Sequence, residues 1–594
     1  MKQFFKFTFA SCLGVFLSMM LLFMVFGVGI SSLISKGMNE TKSPKSNSVL
    51  RLKLNNAIPE KTNNVENESF SLEQKDIWGV HDIAYAIENA TDDSNIKGIL
   101  LDVDMLQAGS VTRSEIRDAI LKFKESDKFI YAYAKNYSQG AYHLASAADK
   151  VFVNPLGGID FKGYAANIMF FKNMLEKAGI QMQIYYAGDF KGATEPYRLE
   201  QLSDKNKQQI REYINDLYDE FLDDISVSRG VEKSSLRNTA DQYLIRQAND
   251  AVTYGLADEV AYFDQVLDAM KTEIGLDDDD NLNVFELSEY VSNNKRKKDY
   301  KVKGNVAVIY AEGTILSGPT ELGSIGDNKY TKMIRKIRND DKIKAVVVRI
   351  NSGGGSALAS ENIWRELELL KDKGIPVIAS MGDVAASGGY YIAAAADTIV
   401  AESNTITGSI GVFSMIPNVE KLFNEKLGIT FDTVLTGKLS AGLYENIFME
   451  HNDLQKEILQ NSTDTMYNIF LTRVADGRNM TTEEVHKIAQ GRVWSGTKAV
   501  KNGLVDTLGD LDDAIGIAAR SAGLENYNIK EYPQVKDQTQ QLIDKLTGQN
   551  DDNDKIGAFI QQDLSTFYPY YKEMKAIKQL QGVQAKMPYI LEIK

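Results

Sequence analysis

Lys344-Ala-Val-Val-Val-Arg-Ile-Asn-Ser-Gly-Gly-Gly-Ser356 is the stretch on which the fold turns. Residues 344–350 are an almost unbroken β-branched run, the pattern of a strand buried on both faces of a parallel sheet. The glycine loop 351–356 ends it. Residues 357–372 then place Ile363, Trp364, Leu367 and Leu370 on one side, which predicts a helix. Pro376-Val-Ile-Ala-Ser380 reads as the next strand, and Ser387-Gly-Gly-Tyr-Tyr-Ile opens another helix. Strand, loop, helix and strand in this order predict an α/β unit with parallel strands.

The unit occurs twice. Leu144-Ala-Ser-Ala-Ala-Asp-Lys-Val-Phe-Val153 parallels Ile392-Ala-Ala-Ala-Ala-Asp-Thr-Ile-Val-Ala401 at an offset of 248 residues. Upstream, Lys97-Gly-Ile-Leu-Leu-Asp-Val103 parallels 344–350 at an offset of 247. Downstream, Thr253-Tyr-Gly-Leu-Ala-Asp-Glu-Val260 parallels Lys501-Asn-Gly-Leu-Val-Asp-Thr-Leu508, again at 248. A register kept this closely indicates a duplicated domain. The expected organisation is a first repeat at 48–275, a charged, Asn-rich linker at 276–303, a second repeat at 304–530 and a polar tail at 531–594.

Residues 7–35 carry no charge, and 17–26 read Leu-Ser-Met-Met-Leu-Leu-Phe-Met-Val-Phe. That run is longer than the apolar region of a cleaved signal and matches the roughly 20 residues that span a bilayer. Residues 1–36 are therefore read as a retained anchor, with a cleaved signal as the alternative. Lys2 and Lys6 on one side and Lys36, Lys42 and Lys45 on the other leave orientation open.

Length and charge narrow the function. At 594 residues the chain needs several domains. A net charge of −14 argues against a nucleic-acid partner. The one basic cluster, 295–298, follows the acidic run Asp277 to Asp280 and reads as solvated linker. Cys12 is the single cysteine, which excludes an internal disulfide or a thiolate metal site. The only histidines, His81, His143, His451 and His486, have neither zinc-protease spacing nor glycine-flanked loops.

Two glycine loops in the second repeat remain as candidate chemistry. In Asn351-Ser-Gly-Gly-Gly-Ser356, between strand and helix, backbone amides are free to face a developing anion. In Ala385-Ala-Ser-Gly-Gly-Tyr390, Ser387 stands where a helix begins and its alkoxide is favoured. The first repeat has Gln139 in register with Ser387, and its glycine loop is degraded to Met105-Leu-Gln-Ala-Gly-Ser110. Conversely, Ala187-Gly-Asp-Phe-Lys-Gly-Ala-Thr-Glu-Pro196 aligns with Thr436-Gly-Lys-Leu-Ser-Ala-Gly442, setting Lys191 opposite Ser440. The losses are complementary, so a working site needs both copies. A lysine buried in apolar surroundings favours its neutral form and can accept a serine proton.

Ala385-Ala-Ser-Gly-Gly-Tyr390, Asn351-Ser-Gly-Gly-Gly-Ser356, Thr407-Gly-Ser-Ile-Gly-Val412 and Phe190-Lys-Gly-Ala-Thr-Glu-Pro196 together resemble the signal peptide peptidase A family in its long, two-repeat form. The resemblance covers roughly 50–530. It implies tandem Clp protease/crotonase-like α/β domains after an N-terminal transmembrane helix. It also implies a serine endopeptidase in which Ser387 is the nucleophile, Lys191 the base and Ser409 the hydroxyl positioning the lysine. Amides of Gly354, Gly355 and Gly388 would form the oxyanion hole, with no metal and no cofactor. The family further implies remnant signal peptides and other unfolded peptides as substrates, and contact with membrane lipid. It implies a bowl-like homo-oligomer, a tetramer in the family, on the bacterial inner membrane with its active face outside the cytoplasm. Gly353 departs from the family's pattern, which has proline there. A crotonase-like acyl-CoA enzyme and a non-catalytic membrane scaffold are the competing readings; the anchor and the loop serine speak against the first, and joint retention of serine, lysine and glycines against the second.

Overall fold

The computed structural model describes residues 43–65, 76–318, 322–535 and 582–587, apart from 278, 295, 297–301 and 303, and seven positions between 6 and 20. The anchor expected at 1–36 lies outside the described residues save for those seven. Among the described residues, no helix is long and apolar enough to cross a membrane.

Each repeat is built on a twisted parallel sheet. In the first, the strands run in the order Glu259–Val260, Lys150–Ile159, Phe129–Tyr137, Ile96–Asp102, Ser48–Leu52 and Asn283–Glu286, all parallel. In the second, Val377–Ala386, Ile343–Ser352, Asn305–Glu312 and Asn528–Tyr532 are parallel neighbours. Ile343–Ser352 is buried along nearly its whole length, as a strand covered by helices on both faces must be. The helix expected at 357–372 is Ala357–Asp372, its first turn capped by the Ser356 hydroxyl. The strand read at 376–380 runs further, as Val377–Ala386, and delivers Ser387.

Two segments differ from the sequence reading. Within 276–303, read as linker, the strand Asn283–Glu286 pairs with Ser48–Leu52, and the helix Leu287–Asn293 buries Tyr290 and Val291. Charged neighbours masked the short apolar pattern Phe285, Leu287, Tyr290, Val291. The tail read at 531–594 begins inside the strand Asn528–Tyr532 and supplies another, Gln584–Lys586. Residues 536–581 and 588–594 lie outside the described residues.

A third sheet joins the repeats. Its order is Ser324–Gly326, Thr314–Leu316, Gly354–Ser356, Gln584–Lys586, Val412–Asn418 and Gln181–Ala187. The last pair is antiparallel over seven residues and crosses from the second repeat to the first. The long helix Asp204–Arg229 of the first repeat also reaches across. Its Glu212 pairs with Arg492 at 2.6 Å, and its Asp216 accepts from Ser495 Oγ at 2.8 Å. Beneath both, Arg349 is wholly buried, with Nε 2.8 Å from Glu60 and Nη2 2.5 Å from Glu115 of the other repeat.

Candidate active site

Ser387 ends the strand Val377–Ala386 and caps the helix Gly388–Ala393. Its backbone is held at φ 55°, ψ −116°, outside the regions a serine prefers. Two bonds hold it there: Ser387 N–H donates to the Gly408 carbonyl and Tyr391 N–H to the Ser387 carbonyl, both at 2.8 Å. Strain over-determined in this way is common where a side chain must be aimed.

Lys191 arrives from the first repeat. Beyond the strand Gln181–Ala187, Phe190 N–H donates to the Gln490 carbonyl at 2.8 Å, and Gln209 Nε2 donates to the Phe190 carbonyl at 3.0 Å. These bonds dock the loop on the second repeat. Lys191 Nζ then lies 2.8 Å from Ser387 Oγ, 3.1 Å from the Ser409 carbonyl and 3.2 Å from Ser409 Oγ. Ser409 is itself fixed at φ 52°, its N–H donating to the Arg492 carbonyl at 2.7 Å. Lys191 is 1% exposed, and Ser387 and Ser409 are fully buried. Burial without a countercharge pushes the Lys191 amine well below its ordinary value. A neutral amine there can donate both N–H groups to Ser409 and keep its lone pair for the Ser387 proton.

The three glycines divide their work. The Gly354 amide does not face the pocket as expected, because it donates to Ser352 Oγ at 3.1 Å. What Gly354 supplies is space: at φ +94°, a Cβ would lie 2.6 Å from Gly388 N. Gly355 and Gly388 keep their backbones against the space beside Ser387.

The matching positions in the first repeat are filled. Gln139 Oε1 accepts from Lys162 N–H at 3.2 Å and Gly163 N–H at 3.0 Å, while Nε2 donates to the Gly163 carbonyl at 3.0 Å. The amides of Val111 and Thr112, after the degraded loop, donate to Asp383 at 2.8 and 3.2 Å. Ser440 is exposed, its hydroxyl turned to the Gly437 carbonyl at 2.6 Å. The histidine rings are engaged elsewhere, His143 with Asp224 at 2.6 Å, His451 with Tyr185 at 2.9 Å and His486 with Tyr467 at 3.0 Å. His81 lies 3.5 Å from Glu60 and 3.6 Å from Glu115.

A buried serine and lysine, shared between two repeats, match what comparison finds. The model of Peptidase family S49 matches residues 122–277 and again 369–525. The chain belongs to peptidase family S49. It is similar to Protease 4 of Haemophilus influenzae, 36% identical over 449 residues that cover 74% of this chain and 72% of that one. Protease 4 of Salmonella typhi is 34% identical over 90% of this chain and 87% of its own. The chloroplastic serine protease SPPA of Arabidopsis thaliana is 33% identical over 80% and 69%. The chain is thus a serine peptidase of family S49 with two repeats.

Sequence reasoning missed three parts of the site. Gly491 lies against the lysine's backbone, where a Cβ would come within 2.6–2.8 Å of Lys191 N, Cα and Cβ. Gln209 ties both repeats together, its Oε1 accepting from Val493 N–H at 3.0 Å. The third is the strand Gln584–Lys586, whose alternation of Val583, Ala585 and Met587 with Gln584 and Lys586 was a usable strand signal.

Proposed function

We propose that this S49 peptidase is a membrane-bound endopeptidase that degrades remnant signal peptides, with Ser387 as nucleophile and Lys191 as general base. The observation that carries this reading is the 2.8 Å approach of a buried, uncompensated lysine amine to the hydroxyl of a strained serine. In the proposed reaction Ser387 Oγ attacks a peptide carbonyl as its proton passes to Lys191 Nζ, which then protonates the leaving amine. Ser409 holds the amine so that its lone pair meets Ser387. The amides of Gly355 and Gly388 receive the oxyanion. A charge-free run at 7–35 supports anchorage at the bacterial inner membrane with the repeats outside the cytoplasm, and the family resemblance supports signal peptides as substrates.

Assembly into a homo-oligomer has its own support. Strand Gln181–Ala187 finds its partner in the other repeat, yet the equivalent stretch 429–435 forms no strand and exposes Val434 and Leu435. A neighbouring copy would complete that pairing; we assign a tetramer by resemblance alone.

Hydrolysis of an unfolded peptide by the purified chain tests the catalytic assignment. Ser387→Ala and Lys191→Ala should each lower kcat/KM by about a thousandfold or more with melting curves still cooperative. Near-native turnover in either variant would remove that residue from the reaction.

A further inference from the structure

Residues 582–587 stand outside both repeats in sequence and in the middle of the candidate site in space. The strand Gln584–Lys586 runs antiparallel to Gly354–Ser356, pairing Gly354 with Lys586, Gly355 with Ala585 and Ser356 with Gln584. Ala357 N–H donates to the Val583 carbonyl at 3.2 Å, and Met587 N–H to the Gly353 carbonyl at 2.6 Å. Hydrogen-bonded pairs in an antiparallel ladder fall on alternate residues, so Gly355 and Ala585 are the bonded pair between these two. On the other side Gln584 pairs with Phe413, and Ser414 Oγ donates to the Gly582 carbonyl at 3.3 Å. The segment fills the gap between two strands, as an extended peptide does when it adds to a sheet edge.

The register selects one bond. The Ala585 carbonyl oxygen lies against both Gly354 and Gly388: a Cβ on Gly388 would be 2.9 Å from it, and one on Gly354 would overlap it. An acyl oxyanion must sit at this place, beside the residue that follows the nucleophile. The side chains are seated as well. Ala585 is fully buried, Val583 packs with it on the core of the second repeat, and Met587 packs against Tyr213 and Ile406. A tail that only covered apolar surface would not need to set a carbonyl between these two glycines.

We propose that this segment is a built-in substrate, and that the enzyme cuts its own chain between Ala585 and Lys586. The proposal rests on the Ser387–Lys191 reading. Ser387 Oγ bonds to the Ala585 carbonyl carbon while its proton passes to Lys191 Nζ. The bond from that carbon to Lys586 N breaks as Lys191 gives the proton to the leaving amine, and residues 586–594 depart. Water then adds to the Ala585 ester and gives a proton to Lys191. Ser387 Oγ leaves and recovers that proton, and Ala585 ends as a carboxylate. The new end keeps its ladder to Gly355 and competes with incoming peptides.

The test follows the intact mass of the full-length chain, purified in detergent, alongside its hydrolysis of an unrelated unfolded peptide. The expected result is time-dependent loss of residues 586–594 from the wild type, and an intact chain for Ser387→Ala. Ala585→Arg, which forces a long charged side chain into a site without free surface, should slow trimming by more than about tenfold. A wild type that hydrolyses the peptide yet keeps its full mass overturns self-cleavage and leaves the dyad standing. A wild type that does neither overturns both. Trimming at another bond, or trimming of Ser387→Ala, overturns the proposed register and mechanism.

Discussion

Lys191 has its amine enclosed beside two serines, and burial alone sets its protonation. In the unfolded chain the same amine holds its proton up to a pH of about 10.4. In the folded chain it releases the proton at a lower pH, so between the two pKa values the unfolded state binds more protons. Stability therefore rises with pH through that window. Lys191→Met keeps the length and removes the amine. It should raise the melting temperature at pH 7, flatten the rise of stability with pH and abolish hydrolysis; calorimetry across the pH range checks it. A lower melting temperature at pH 7 would mean that the charged amine is the stable form. Ser387 and Lys191 were legible in the sequence because each repeat lacks what the other keeps. The turn of the Gly354 amide toward Ser352 was not, because one hydroxyl two residues away decides it.

The loop that carries Lys191 belongs to one repeat but rests on the other. Gly491, at φ +82°, gives it room, and any Cβ there meets the lysine's own backbone. Gly491→Ala should displace the amine and lower kcat by about a hundredfold, with a smaller change in KM. Steady-state kinetics on a variant with native circular dichroism decides this, and wild-type kcat would show that the contact is unimportant. Elements with an uninterrupted pattern were legible, as with helix Ala357–Asp372, where apolar spacing and the Ser356 cap agree. The short strands Asn283–Glu286 and Gln584–Lys586 were not, because their pairing is made by residues more than two hundred positions away. The crossing strand Gln181–Ala187 was hidden for the same reason: its partner lies in the other repeat.

At the scale of the whole molecule, the site exists only while the repeats stay in register. Arg349 is buried at their joint against Glu60 and Glu115. Burial alone would raise the Glu60 carboxyl, but the Arg349 charge and His81 outweigh it and hold that carboxyl below its ordinary range. Arg349→Ala would leave two buried carboxylates uncompensated and should lower stability by about 3–5 kcal/mol in denaturant unfolding. A loss below about 1 kcal/mol would show that the joint does not depend on this arginine. Duplication was legible from the constant offset of 248 residues, but not the way the copies share one site. The most direct test of that shared site is the pH dependence of Ser387 labelling by a serine-reactive phosphonate in wild type and Lys191→Arg. The account predicts an adduct on Ser387 whose rate of formation rises with pH, levels off once the lysine is neutral, and is lost in Lys191→Arg. Labelling that persists in Lys191→Arg, or that follows an inflection near pH 6.5 removed by replacing a histidine, would contradict it.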